Sequence, residues 1–222
     1  SSKTTPLAER FADEFKTTFH FANNEDRGFT ALTSIKQSNQ TTFFERLAKH
    51  PDVIKVALNT PLQPNQSYNI TLTYIVQIPH NKFTRYGVTD FGDYNLRFWY
   101  ITPAVFDGSW HYYSNKDLED LFVEPANITL KLTYPNNFTP VSELNILNNK
   151  VGTVTTTTFK GENRINSKLS LVQNNDYKTV ETDFFNIESN IDTESLEPTE
   201  VALASDRVAQ FITKNLGDYP HE

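Results

Sequence analysis

The sequence predicts a mainly β fold, an antiparallel β-sandwich with an α-helix at each end, and three observations carry that expectation. First, strict two-residue alternation runs through Tyr68, Ile70, Leu72, Tyr74, Val76 and Ile78, with Asn69, Thr71, Thr73 and Gln77 between them. Ile128, Leu130, Leu132 and Tyr134 repeat it. Such alternation marks a strand buried on one face. Second, turn-forming clusters recur between short β-rich runs: Gln63-Pro64-Asn65, Pro79-His80-Asn81, Asp90-Phe91-Gly92-Asp93, Asp107-Gly108, Pro135-Asn136-Asn137, Asn148-Asn149, Lys160-Gly161-Glu162-Asn163 and Asn174-Asn175-Asp176. Closely spaced turns favour antiparallel sheets over βαβ units. Third, apolar stripes at helical spacing stand near the two ends, at Leu7–Phe19 and Val201–Ile212.

Thr5 followed by Pro6 is a helix start, and Leu7, Phe11, Phe15 and Phe19 recur every four residues beyond it. That spacing predicts one helix laid on a sheet. Phe29–Ile35 and Val53–Leu58 are strand candidates, with a short helix expected over Phe43–Lys49, ending before Pro51. The long strand from Tyr68 leads into an aromatic-rich centre, Tyr94 to Trp110. Thr153 and Thr155–Thr158 form a β-branched run suited to the exposed face of an outer strand. Near the end, Val201, Ala204, Val208, Phe211 and Ile212 make an apolar stripe at helical spacing, opened by Pro198 and closed by Gly217. The acidic stretch Glu188–Glu197 has no period and is expected to be a linker. The expected domains are therefore residues 1–187, a β-sandwich with a leading helix, and residues 188–222, a linker and the first helix of a following domain.

Composition narrows the functional classes. With 222 residues, 37% hydrophobic and 13% aromatic, the chain is long enough for a core and too apolar for disorder. The net charge of −7 is concentrated between Thr179 and Asp206, where eight acids stand and no Lys or Arg does. No basic surface for nucleic acid is expected. Without Cys there is no disulfide, thiolate zinc site or Cys nucleophile, yet the compartment stays open, with periplasm or exterior preferred to cytosol. No apolar run approaches the ~20 residues of a membrane span. The start, Ser1-Ser2-Lys3-Thr4-Thr5-Pro6, lacks an initiator Met and a signal-peptide core, so the chain reads as a processed or excised piece.

Candidate chemistry is sparse. His20, His50, His80, His111 and His221 are scattered without i, i+4 pairing, which favours surface or packing roles over metal ligation. His221-Glu222 resembles the opening of H-E-x-x-H but follows Leu216-Gly217-Asp218-Tyr219-Pro220, a helix-ending turn. Asp117, Glu119, Asp120 and Glu124 carry calcium-ligating oxygens without EF-hand spacing, and a short helix capped by Ser114 and Asp117 is the preferred reading. Trp99, Tyr100, Trp110, Tyr112 and Tyr113 are either core aromatics or a platform for sugar or peptide, with core favoured. N-x-S/T sequons occur at Asn39, Asn65, Asn69, Asn127 and Asn137 in a chain rich in Asn and Thr. No nucleophile-base arrangement leaves a local signature.

Several short motifs nevertheless stand in a recognisable order: Leu62-Gln63-Pro64-Asn65-Gln66-Ser67, a strand ending Val76-Gln77-Ile78-Pro79, then Phe98-Trp99-Tyr100-Ile101-Thr102-Pro103, then Ile128 to Pro135 followed by Glu143-Leu144-Asn145. This order resembles the N-terminal domain of zinc metallo-aminopeptidases related to aminopeptidase N and leukotriene hydrolase, where a "pL-x-P-G-x-s" turn precedes a strand and "fP" and "v-x-i-x-x-P" elements follow. Leu216-Gly217-Asp218-Tyr219-Pro220 is similar to the family's "lG-x-yP" element at the start of the catalytic domain. The likeness spans roughly Val53 to Glu222. The stretch before Val53 departs from the family pattern.

The resemblance implies a saddle-like sandwich that packs on a thermolysin-like catalytic domain and helps close its peptide cleft. The parent's zinc ligands and general base would lie beyond Glu222, so no catalytic, cofactor-binding or metal residue is expected within the chain. Where the family's domain contributes a Gln that meets the substrate's amino group, this chain has Arg97, Phe98 and Trp99, and no amine-binding residue is carried over. A diverged bacterial member is expected. The expected partners are the parent's catalytic domain, contacted by the helix face Val201, Val208, Phe211 and Ile212, the parent's peptide substrate, and in isolation a second chain held weakly through the same helix. The alternative is an independent cell-surface or secreted module binding carbohydrate or protein through Trp99, Tyr100 and Trp110.

Overall fold

In a computed structural model, described for residues 3, 5–112, 122–182, 186–191 and 197–218, short antiparallel sheets dominate and helices stand near the two ends. This is the predicted mainly β class. Every strand pairing with a resolved register is antiparallel, and a lone parallel bridge joins His80 to Val88. The chain forms two compact units interleaved in sequence. One holds Ser1–Ala126, Pro140–Leu144 and Arg164–Leu171, and the other Asn127–Thr139, Asn145–Asn163 and Val172–Glu222. The boundary expected near residue 188 lies within the stretch Val172–Glu222 of the second unit.

The first unit opens with α1 (Pro6–Asp13), whose N-cap Thr5 accepts the amide hydrogen of Ala8 through Oγ1 at 3.3 Å. The expected long helix stops early. Phe15 takes φ 56° and is 91% exposed, and the chain restarts as α2 (Thr17–His20). The four-residue Phe repeat is thus broken at its third member. Phe19 is buried, edge-on to Phe11 and Phe83 with centroids 5.8 and 5.4 Å apart. Buried Arg27 donates to the carbonyls of Phe19, His20 and Ala22, satisfying the end of α2.

β1 (Phe29–Gln37) lies between β2 (Gln40–Thr41) and the long strand β5 (Ile70–Gln77). Leu72, Tyr74 and Val76 of β5 are part-covered while Thr71 and Thr73 are exposed, as alternation predicts. The helix expected over Phe43–Lys49 is absent. Phe44–Leu47 is strand β3, paired with β4 (His50–Val56) from Phe44 opposite Val56 to Leu47 opposite His50. Cross-strand pairing across a tight turn outweighed the helix-forming Glu45, Leu47, Ala48 and Lys49. Gly87, at φ 141°, lets β6 (Gly87–Val88) pass Pro79, since a Cβ there would meet the Pro79 carbonyl oxygen at 2.1 Å. β7 (Tyr94–Leu96), the hairpin of β8 (Val105–Phe106) and β9 (Trp110–His111), and a sheet ordered β11-β14-β7-β6 complete the unit. In that sheet β11 is Thr139–Ser142 and β14 is Leu169–Val172.

In the second unit β13 (Thr155–Arg164) is the middle strand between β10 (Ala126–Tyr134) and β12 (Asn145–Val151). The threonine run is therefore central, not outer. Thr155, Thr157 and Phe159 are buried, and hydroxyl pairing explains how threonine tolerates this: Thr157 donates to Asn149 Oδ1 at 3.0 Å and Thr155 to Asn136 Oδ1 at 2.8 Å. β15 (Lys178–Glu181) and β16 (Asn186–Ser189) form a hairpin that packs against α3 (Pro198–Leu216). Part of the expected linker is thus strand. Pro198 begins α3, and Glu197 and Glu200 form its capping box. Among the described residues, no helix is long and apolar enough to cross a membrane.

Candidate functional site: the aromatic segment and the C-terminal helix

The aromatic centre divides into a packed part and a presented part. Arg97 begins the packed part, its guanidinium 4.4 Å from the Phe98 ring centroid and 5.7 Å from that of Tyr86, whose hydroxyl accepts its Nη1 at 3.1 Å. Trp99 and Tyr100 are part-buried and meet edge to face with centroids 5.6 Å apart. Trp99 Nε1 is enclosed without an acceptor. Burial pushes the Tyr100 hydroxyl above its ordinary value, against a backbone hydrogen bond at Ser167. Both side chains behave as packing groups.

Trp110 departs from the core reading. It stands across the β8–β9 hairpin from Phe106, ring centroids 5.0 Å apart, with Trp110 61% and Phe106 58% exposed. Gly108 at φ 101° supplies the turn, and Asp107 is bonded to His111 Nε2, whose ring stacks on Phe122 at 4.4 Å. Phe106 was not singled out from the sequence. The Asp107-Gly108 turn that puts it opposite Trp110 was the available signal.

The four described histidines make local contacts. His80 Nδ1 accepts the Lys82 amide hydrogen at 3.1 Å, so Nε2 carries the proton and donates to Asp90 Oδ1 at 3.1 Å. Neither ring nitrogen is left for a nucleophile. Lys82 Nζ lies 2.6 Å from Asp26 Oδ2, and this hydrogen bond holds the Asp26 carboxyl below its ordinary value. His50 meets the Tyr112 ring edge-on at 5.6 Å and His20 meets Phe21 at 5.0 Å. Among the described residues no three His, Asp or Glu side chains converge as a metal set. The Ser114 cap, Tyr113, Asp117, Glu119, Asp120 and His221 lie outside the described residues, while Glu124 is exposed. All five sequon asparagines are exposed, and Asn127 Oδ1 accepts the Asn163 amide hydrogen at 3.1 Å.

On α3 the covered side is formed by Ala202, 0% exposed, Ala209 and Pro198. Val201 and Ile212 are part-covered, whereas Val208 is 58% and Phe211 64% exposed, joined by Leu203 and Leu216. The helix thus faces its own hairpin with small residues and turns its larger apolar residues outward. Comparison with family models, curated proteins and solved structures gave no match.

Proposed function

We infer that the chain is a noncatalytic β-domain of a zinc metallo-aminopeptidase related to aminopeptidase N and leukotriene hydrolase, which packs on a catalytic domain and helps shape its peptide cleft. The observation that carries this reading is the outward apolar side of α3, with Val208 and Phe211 uncovered on a helix already anchored through Ala202 and Ala209. A capped 19-residue helix with one side satisfied and the other apolar suits the seam between two domains. The motif order from Leu62 to Pro220 supports the same family. Zinc belongs to the partner domain in this reading, as the resemblance to the family implies. The parent gene should encode H-E-x-x-H and a downstream Glu after the codon for Glu222. A gene without them would end the proposal.

A second reading, an independent carbohydrate- or protein-binding module, is favoured by the exposed Phe106–Trp110 pair. Adjacent exposed rings suit a sugar face or a proline-rich segment. Glycan and peptide arrays separate the two: a ligand lost on Trp110→Ala, with the fold intact, favours the module.

A further inference from the structure

β12 is an edge strand of unusual openness. Its sheet is ordered β10-β13-β12, and all seven residues from Asn145 to Val151 are exposed. Ile146, Leu147 and Val151 are 62%, 60% and 70% exposed, so neither face is covered, and among the described residues no second strand lies along its outer side. Proteins usually blunt such edges with charge, proline or a covering element. This strand carries one charge, Lys150, and no proline. The N–H and C=O groups along its outer side specify an extended strand as occupant.

The register specifies which strand. Ile146 pairs with Phe159 and Asn148 with Thr158, leaving Leu147 as an extra residue in a bulge. That extra residue restores the phase, so Ile146, Asn149 and Val151 share the face of Phe159, Thr157 and Thr155. The strand is then complementary to itself. A second copy running antiparallel, with Asn149 at the two-fold axis, sets Ile146 against Val151 on one face. On the other face it sets Asn148 against Lys150. The two Lys150 ammonium groups stay apart, whereas a parallel in-register pairing would oppose them. We propose that β12 is the contact through which a second copy of this chain adds, joining two three-stranded sheets across an isologous antiparallel edge.

Because the chain has no Cys, introduced thiols report without background. Ile146→Cys and Val151→Cys lie on exposed positions, and mixing the two variants under mild oxidation should yield a disulfide-linked dimer. Each variant alone should cross-link at least ten-fold less, since like positions sit about 13 Å apart along the strands, beyond disulfide reach. In sedimentation, Val151→Lys should lower the dimer fraction at least five-fold, while Phe211→Asp leaves it unchanged. Wild-type chain that stays monomeric at about 100 μM, single variants that cross-link as well as the mixture, or a dimer lost only on Phe211→Asp would each overturn the proposal.

Discussion

Tyr134 and Thr157 share a buried hydrogen bond, 2.8 Å between oxygens, at the centre of the β10-β13-β12 sheet. Thr157 spends its own proton on Asn149 Oδ1, so Tyr134 is the donor in a relay that runs from Tyr134 through Thr157 to Asn149. Tyr134→Phe removes the donor and should cost about 1 kcal/mol. Thr157→Val strands the buried Tyr134 hydroxyl and should cost more, about 1–3 kcal/mol. Denaturant unfolding of the two variants checks the order.

α3 should respond oppositely on its two sides. Ala202, wholly covered, leaves no room for larger groups, and Ala202→Leu should destabilise by about 1–3 kcal/mol through overpacking. Phe211→Asp, on the exposed side, should stay within about 0.5 kcal/mol. Thermal melts read both, and a collapse on Phe211→Asp would place that side in the core.

The two tryptophans should be separable in solution. Trp110 should be readily quenched by iodide and Trp99 shielded, given their different cover. Trp99→Ala should cost about 3 kcal/mol, and Trp110→Ala less than about 0.5.

Glu14, beyond the end of α1, is bonded by Lys16 first and Arg10 second, which hold its carboxyl at about 2 against an ordinary 4.5. A depressed folded value means that whatever this pairing contributes is present above pH 4.5 and is lost as pH falls towards 2. The group lies at the surface, so salt weakens the effect. A carboxyl-carbon NMR titration should find the midpoint near 2 at low salt, rising in roughly 1 M salt. Lys16→Ala should raise it more than Arg10→Ala does. A wild-type midpoint at 4.5 would mean that the pair does not form.

The sequence made legible what local periodicity controls. The alternation of β5 and β10 and the start and stop of α3 at Pro198 and Gly217 appear where expected. What it hid depends on partners distant in sequence or on backbone geometry. Residues 44–47 became strand through pairing with β4, and Phe15 broke the first helix by taking a left-handed conformation. The threonine run moved to a central strand because hydroxyls can be buried when bonded. On α3, large side chains dominate an apolar stripe, yet close packing against a hairpin selects alanine, so the covered side lies at Ala202 and Ala209. The candidate site was legible in part: Trp110 was singled out, but its exposure and its pairing with Phe106 depend on the hairpin register.

The central claim, that the outward side of α3 is a seam between domains, is tested most directly by thiol accessibility at Phe211→Cys. In the chain alone a maleimide should label this position as fast as an unfolded peptide, since Phe211 is 64% exposed. In the product of the whole gene the same thiol should be protected at least ten-fold. Equal labelling in both would contradict the account.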